Sequence, residues 1–151
     1  MKIATLLATW FGAGRLPVAP GSWGSLAALP LAWLIVWLGG WTALAAATLL
    51  VFLVGWWAAD RVVAEAGIAD PGWVVIDEVA GQWLTLLFVP PGLKAYAAGF
   101  VLFRLFDIAK PWPVSWADRR IGGGLGVMID DILAGLYALA GLSALQLLRI
   151  V

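Results

Sequence analysis

This chain of 151 residues contains no cysteine and no histidine. The lack of cysteine excludes disulfide bonds, thiolate metal sites and a cysteine nucleophile. The lack of histidine excludes histidine-ligated zinc centres, phosphohistidine intermediates and Ser-His catalytic triads. Any chemistry must therefore be carried out by carboxylates, lysine, arginine and hydroxyl groups, together with a hard metal ion.

Charge is also scarce, because only 12% of the residues are charged, whereas 64% are hydrophobic. Soluble domains have about 25% charged residues, and a domain of this length cannot bury so much apolar surface. The excess must face lipid, and the eleven tryptophans suit the membrane–water boundary. Nine basic and nine acidic residues balance, so the net charge does not indicate an acidic or nucleic-acid partner. From the apolar composition we expect the lipid bilayer as the partner, and no nucleic acid. The length allows one domain, residues 1–151.

The first eleven residues are apolar and superficially resemble a signal peptide, but no credible small-x-small cleavage site follows them. We therefore expect an uncleaved, short interfacial or re-entrant helix. Turn signals then divide the rest of the chain, namely Gly39-Gly40, Asp70-Pro71-Gly72, Pro90-Pro91-Gly92 and a loop over residues 110–126. The fold predicted from this pattern is all-α, an integral membrane helical bundle with about four to five membrane-embedded helices, over residues 25–38, 41–59, 77–89, 93–107 and 130–150.

Alternation of these helices across the bilayer brings the polar motifs to one face. If residue 22 lies on the first side, the turns at Gly39-Gly40 and Pro90-Pro91 lie on the second side. The first side then carries most of the basic residues: Arg15, Arg61, Arg104, Lys110, Arg119, Arg120 and Lys2. The second side carries Lys94 and Arg149. The positive-inside rule predicts that the first side is cytoplasmic.

Three acidic motifs reach that face, namely Asp77-Glu78, Asp107 and Asp130-Asp131. Ionisable groups at the edge of hydrocarbon are costly and usually functional. A structural alternative is that Asp77 and Asp130 cap helix N-termini. Each is followed by a second acid, however, and five converging carboxylates repel one another unless a cation lies between them. We therefore predict a metal site for Mg²⁺ or Mn²⁺, since all the ligands are oxygen atoms.

Basic residues flank the middle motif. Arg104 and Asp107 are three residues apart on a helix and hence share a face, so one interpretation is an internal ion pair. The functional interpretation assigns Arg104 and Lys110 to the oxygens of a phosphate. Backbone N–H groups near Gly21 and Ser22, before the first long helix, could bind the same anion. Residues 122–126 are glycine-rich, a pattern that indicates either a connector or a mobile flap over the site. Their spacing in the sequence does not decide whether Ser115 or Asp118 takes part in the site.

The motifs together resemble one family. They are the run 17–25, Val75-Ile76-Asp77-Glu78-Val79-x-Gly81, Phe103-Arg104-x-Phe106-Asp107-Ile108-x-Lys110-Pro111-x-Pro113, and Gly123-Gly124-x-Gly126-Val127-Met128-Ile129-Asp130-Asp131-x-x-Ala134-Gly135. Their order and content resemble the phosphatidylglycerophosphatase A family. The resemblance implies a small bacterial inner-membrane enzyme, dependent on Mg²⁺, that hydrolyses phosphatidylglycerophosphate to phosphatidylglycerol and inorganic phosphate. It also implies an active site formed by Asp77, Glu78, Asp107, Lys110, Asp130 and Asp131.

The mechanism expected from these residues is metal-assisted hydrolysis, with the five carboxylates as candidate metal ligands or base. A covalent aspartyl-phosphate is the variant. A transporter or ion-binding membrane protein is the alternative, although it predicts polar residues near the helix midpoints, which are almost free of charge here. A CDP-alcohol phosphotransferase would need a long spaced-Asp motif that the chain lacks. A purely structural subunit would have no use for five converging acids.

Overall fold

A computed structural model describes residues 2–151, and all regular secondary structure in this range is helical, with no β-strand. The all-α prediction is thereby confirmed. A short 3-10 helix at Ala13–Arg15 precedes the first long helix. The α-helices described are α1 (Ile3–Ala8), α2 (Pro20–Ala66), α3 (Ile76–Thr85), α4 (Leu93–Ala109), α5 (Val114–Arg120) and α6 (Gly123–Leu147).

Helix α2 is a hairpin of two arms that meet at Gly40. This glycine has φ 70° and ψ −170°, a conformation that is essentially restricted to glycine. Gly24 on the first arm lies against Val75, and Gly55 on the second arm lies against Ile76. A straight helix would separate the two glycines by about 46 Å, so the arms must fold back on each other. The turn predicted at Gly39-Gly40 is therefore confirmed.

Helix α3 is the central element, and eight of its ten residues are buried. It packs between α2 and α6, and its crossing with α6 is a near backbone contact. A Cβ atom added to Gly135 would lie 2.6 Å from the carbonyl oxygen of Gly81. Only glycine allows two helices to approach this closely. The crossing holds the start of α3 beside the middle of α6.

The two ends of the bundle differ in chemistry. At one end Trp41 Nε1 donates a hydrogen bond of 3.2 Å to the carbonyl oxygen of Val89, which places the Gly40 turn beside the Pro90-Pro91 loop. At the other end the backbone N–H of Gly124 donates to Asp60 Oδ1 at 3.1 Å. The acidic motifs lie at this second end, as helix alternation predicts.

Two helices, α2 and α6, are long and apolar enough to cross a membrane. The most apolar part of α2 is only 11% buried within the protein. Its exposed side chains are large and apolar, and include Leu34, Trp37, Leu38, Leu49, Leu50 and Leu53. Because such a surface is unfavourable in water, the two arms of α2 have the character of lipid-facing helices.

Several predicted helix boundaries are wrong. Helix α6 begins at Gly123, so the glycine-rich stretch is helical and is neither a flap nor a connector. The predicted loop 110–126 also contains α5. Helix α3 ends at Thr85 rather than at residue 89, because Phe88 takes a left-handed conformation at φ 64° ahead of two prolines. The N-terminal short helix is present as α1.

Candidate active site

Three buried carboxylates converge where α3 crosses α6. One oxygen atom from each of Asp77, Glu78 and Asp131 lies within 4.8 Å of the others. Asp77 is 7% exposed and Asp131 is 3% exposed. Asp77 and Glu78 come from the first turn of α3, whereas Asp131 lies two turns inside α6. The glycine contact between the two helices brings these groups together.

One carboxylate oxygen of each residue in this cluster lacks a partner among the described residues. Within residues 2–151, Asp77 Oδ1, Glu78 Oε2 and Asp131 Oδ2 are buried and accept no hydrogen bond. Three negative groups this close, in a medium of low polarity, require a neutralising cation or protons. A divalent ion that prefers oxygen ligands fits this donor set. The three residues can therefore hold a metal ion.

Arg104 supplies positive charge beside this cluster. Its Nη1 atom lies 3.6 Å from Glu78 Oε1 and also donates a hydrogen bond to Asp107 Oδ2. The Arg104–Asp107 ion pair expected from their spacing on α4 is thus present. Arg104 Nε is buried with no partner in the described chain. The guanidinium therefore keeps a free donor beside the carboxylates, and this donor is available to a phosphate oxygen.

Gly21 is the point at which α2 approaches these charges. A Cβ atom added to Gly21 would lie 2.1 Å from Glu78 Oε1 and 3.0 Å from Arg104 Nη1. Any side chain there would displace the Glu78 carboxylate. Ser22 follows in the same turn and is half-buried. Both residues lie in the first turn of α2, where the helix dipole favours an anion, and the Ser22 N–H donates to the carbonyl oxygen of Ala19 at 3.0 Å.

Lys110 forms a second group of charges with two acids. Its Nζ atom donates to Asp130 Oδ2 at 2.8 Å and to Asp118 Oδ1. Burial alone would lower the pKa of Lys110, but these two hydrogen bonds raise its pKa above the ordinary value. Lys110 is therefore firmly protonated at neutral pH. Asp130 keeps one oxygen, Oδ1, without a partner in the described residues.

The structure thus brings the predicted acids to one end but divides them. Asp77, Glu78 and Asp131 form the three-carboxylate cluster, whereas Asp107 pairs with Arg104 and Asp130 pairs with Lys110. The capping interpretation is wrong for both aspartates. Asp77 makes no capping hydrogen bond, and Asp130 lies inside α6, which is capped at Gly122.

Sequence reasoning missed three polar residues at this end. Asp118, on α5, binds Lys110, and Asp60 connects the second arm of α2 to α6 through the Gly124 N–H. Gln82 is fully buried, and neither polar atom of its side chain has a partner among the described residues. A lone polar residue in the apolar run of α3, one turn after Glu78, was the available signal for Gln82.

A polar cavity of about 290 Å³ opens beside the site. Its walls come from the loop before α3, from α5 and from the start of α6, and they include Asp70, Asp118, Arg120 and Asp130. Burial raises the pKa of Asp70 above its usual value. Asp118 and Asp130, the two acids that bind Lys110, both line the cavity.

Comparison with known proteins supports the assignment that these residues suggest. The sequence model of the family described as Phosphatidylglycerophosphatase A matches residues 6–146. The chain is 42% identical to Phosphatidylglycerophosphatase A of Escherichia coli (strain K12) over 134 residues, covering 88% of this chain and 77% of that protein. It is 39% identical to Phosphatidylglycerophosphatase A of Haemophilus influenzae over 142 residues, covering 93% and 87%.

A third relative carries a different name. A protein of Bacteroides thetaiotaomicron, provisionally named a phosphatidylinositol-3-phosphatase, is 41% identical over 143 residues, covering 90% of this chain and 89% of that protein. No solved structure matches the chain. The family match extends over almost the whole chain, and two bacterial relatives share its name. This chain therefore belongs to the phosphatidylglycerophosphatase A family.

Proposed function

We propose that this protein is a Mg²⁺-dependent lipid phosphatase that hydrolyses phosphatidylglycerophosphate to phosphatidylglycerol and inorganic phosphate. The observation that carries the proposal is the cluster of Asp77, Glu78 and Asp131, with unpartnered oxygens, beside Arg104 at one end of an apolar bundle. The printed names of two relatives agree with this activity. The carboxylate cluster suits a metal ion, and the neighbouring Arg104 suits the phosphate monoester that the ion would bind.

Asp77, Glu78 and Asp131 would hold the metal ion, and we keep Asp107 and Asp130 as further candidate ligands. When bound, the ion supplies Lewis-acid polarisation of the phosphoryl group and lowers the pKa of water. Arg104 binds a phosphoryl oxygen and stabilises the charge that develops there. The N-terminal turn of α2 at Gly21 and Ser22 orients the phosphate from the other side.

The remaining charges move protons and fix geometry. A water molecule that attacks phosphorus loses a proton, and we assign Asp130 as the base that accepts it, since its Oδ1 atom has no partner in the described residues. Lys110 holds the other oxygen of Asp130 and adds positive charge near the substrate. The glycerol oxygen leaves the phosphorus atom and takes up a proton. The net reaction consumes one water molecule and yields the alcohol and phosphate.

We further propose a multi-pass orientation in a bacterial inner membrane, with the site facing the cytoplasm. The arms of α2 together with α4 and α6 would be the embedded helices, and α3 would be buried among them. The basic residues of the site end support this, as do Trp112 and Trp116, which are 74% and 51% exposed near Arg119 and Arg120. Such a mixture is typical of a cytoplasmic membrane interface.

A second candidate substrate is phosphatidylinositol 3-phosphate, because one relative is named for it. Both compounds present a phosphate monoester on a lipid headgroup, so the carboxylate cluster and Arg104 suit either. The rival transport function is weaker, since the acids and their cations gather at one end of the bundle.

The test is phosphate release by the protein purified in detergent. Phosphatidylglycerophosphate and phosphatidylinositol 3-phosphate are each supplied in mixed micelles, with Mg²⁺ and with excess chelator. We expect release from phosphatidylglycerophosphate, its loss with chelator and its recovery when Mg²⁺ is restored. Release that chelator leaves unchanged would refute the metal dependence, and preference for the inositol lipid would reassign the substrate.

A further inference from the structure

An apolar groove runs along the outside of the bundle between the first arm of α2 and α4. Its volume is about 550 Å³. The walls carry no charged residue, and the residues that matter here are Leu26, Pro30, Trp33, Tyr96, Ala97 and Val101. Pro30 lies inside the first arm and has no N–H to donate to the carbonyl of Leu26.

The groove lies between the same two helices that carry Gly21 and Arg104. Val101 lies three residues before Arg104 on α4, and Leu26 lies five residues after Gly21 on α2. The near end of the groove is therefore about 4.5 Å from Arg104 along α4 and about 7.5 Å from Gly21 along α2. The same two helices meet closely at the site, where a Cβ atom on Gly21 would lie 3.0 Å from Arg104 Nη1.

Two aromatic rings, one from each helix, meet in the part of the groove that is farther from the site. Trp33 and Tyr96 pack with their ring centroids 5.2 Å apart. Tyr96 is eight residues from Arg104, which corresponds to about 12 Å along the helix axis. The groove is therefore apolar along its length, and the charged site lies beyond the end that is lined by Leu26 and Val101. This polarity matches a phospholipid whose headgroup is held at the site.

We propose that this groove binds one acyl chain of the lipid substrate and makes the enzyme selective for long-chain lipids over short-chain analogues. The proposal rests on the proposed function and adds a specificity determinant to it. The occupant is a hydrocarbon chain because the walls are apolar and open sideways, as a bilayer lipid requires. An acyl chain in the groove orients its own headgroup, so binding energy far from the phosphate contributes to catalysis.

The test compares a long-chain and a short-chain substrate, in wild type and in a variant whose groove is filled by a larger side chain. Dipalmitoyl and dihexanoyl phosphatidylglycerophosphate are supplied in mixed micelles with Mg²⁺, and kcat/KM is measured for each. Ala97 is exposed on the groove wall, and Ala97→Phe places a ring in the path of the chain. The matched control is Ala45→Phe, also at an exposed alanine, in a separate apolar groove of about 280 Å³ that is formed by the second arm of α2, α3 and α6.

We expect Ala97→Phe to lower the ratio of kcat/KM for the long-chain over the short-chain lipid by about tenfold, equivalent to about 1.4 kcal/mol. The ratio for Ala45→Phe should stay within about twofold of wild type, which is less than about 0.5 kcal/mol. If Ala97→Phe is not monodisperse in detergent, Val101→Phe, at another exposed wall position, replaces it.

Three results would overturn the proposal. They are an unchanged ratio in a folded groove-filling variant, an equal loss for both lipids, and a larger shift of the ratio in Ala45→Phe. A wild-type protein that releases no phosphate from either lipid is a distinct outcome. That result would refute the proposed function itself, and the selectivity proposal would fall with it.

Discussion

The five acidic residues of the site divide according to their partners. Asp107 and Asp130 each bind a cation of the protein. Asp77, Glu78 and Asp131 have oxygens with no protein partner in the described range, although burying such oxygens is costly. A cost of this kind persists where a ligand compensates for it. At this scale the structure of residues 2–151 distinguishes a cluster of three carboxylates, of which only Glu78 contacts a cation, from Asp107 and Asp130, which each form an ion pair.

Gly21 gives a prediction at the same scale. In Gly21→Ala the added methyl group would lie 2.1 Å from Glu78 Oε1 and displace that carboxylate from the cluster. We expect kcat/KM for phosphate release to fall by about 10²-fold, the size of effect that a displacement of about 1 Å in a catalytic geometry produces. Helix stability should not fall, because alanine is the better helix former.

The control for this variant is Gly72→Ala. Gly72 lies in the turn before α3 with open space around its Cβ position. The kcat/KM of Gly72→Ala for phosphate release should therefore stay within about twofold of wild type. Equal activities of the two variants would show that the close approach of Gly21 to Glu78 has no catalytic importance.

Among the helices, the crossing of α3 and α6 has the largest effect on the site. Gly81 and Gly135 face each other there, and a Cβ atom on Gly81 would lie 2.6 Å from the carbonyl oxygen of Asp131. The backbone contact that joins the helices is therefore adjacent to the carboxylates. Spacing the helices apart would separate Asp131 from Asp77 and Glu78.

We predict that Gly135→Ala forces this separation. The added methyl group would lie 2.6 Å from the Gly81 carbonyl oxygen, and overpacking of this kind costs about 1–3 kcal/mol. The apparent Tm in detergent should fall, and phosphate release should fall with it. Both quantities are measured on the same purified sample.

Gly141→Ala is the matched control on the same helix. A Cβ atom there meets Leu102 at 3.5 Å, an ordinary contact, and alanine favours the helix by up to about 1 kcal/mol. Its Tm should be equal to or above that of wild type. A Tm for Gly135→Ala that matches this control would contradict the crossing.

The sequence predicts correctly the turns that are marked by pairs of glycine or proline residues. Gly39-Gly40 and Pro90-Pro91 predict turns because glycine and proline restrict the backbone locally, and both turns are present. Sequence reasoning fails at the start of α6, because five residues that include four glycines read as a loop, whereas packing makes them helical. A Cβ atom on Gly124 would lie 2.2 Å from the backbone nitrogen of Asp60, so this glycine serves a helix contact that no local signal reveals.

The same limit applies to the site. The three acidic motifs and their common end follow from helix alternation, which depends only on chain order. Their division into a three-carboxylate cluster and two ion pairs depends on side-chain directions at the α3–α6 crossing. Asp118 joins the site only because α5 folds beside Lys110, and spacing in the sequence does not contain that information.

At the scale of the whole molecule, the protein is an apolar bundle with one charged end, and orientation in the membrane can be tested directly. The chain contains no cysteine, so single introduced cysteines are unique labels. Ala64 and Thr42 are both exposed and lie at opposite ends of the second arm of α2. We expect an impermeant maleimide to label Ala64→Cys in inverted vesicles and Thr42→Cys in spheroplasts.

Labelling of both variants from the same side would contradict a membrane-spanning second arm. The reverse pattern would place the carboxylate cluster on the periplasmic face. The expected pattern would put the site on the cytoplasmic leaflet, beside the groove that opens sideways between α2 and α4.

The central claim is that Asp77, Glu78 and Asp131 together hold a divalent ion for phosphate-monoester hydrolysis, and a Mg²⁺ titration of phosphate release tests it most directly. Phosphatidylglycerophosphate is the substrate, and wild type is compared with Asp131→Asn and with Glu65→Gln, a control at an exposed acid of the same end that pairs with Lys2. We predict that Asp131→Asn loses at least about 10²-fold in rate, since even the outer partners of a metal cost roughly 10–100-fold when removed. Glu65→Gln should follow the wild-type titration. An Asp131→Asn variant that releases phosphate at the wild-type rate, with the same Mg²⁺ dependence, would contradict the account.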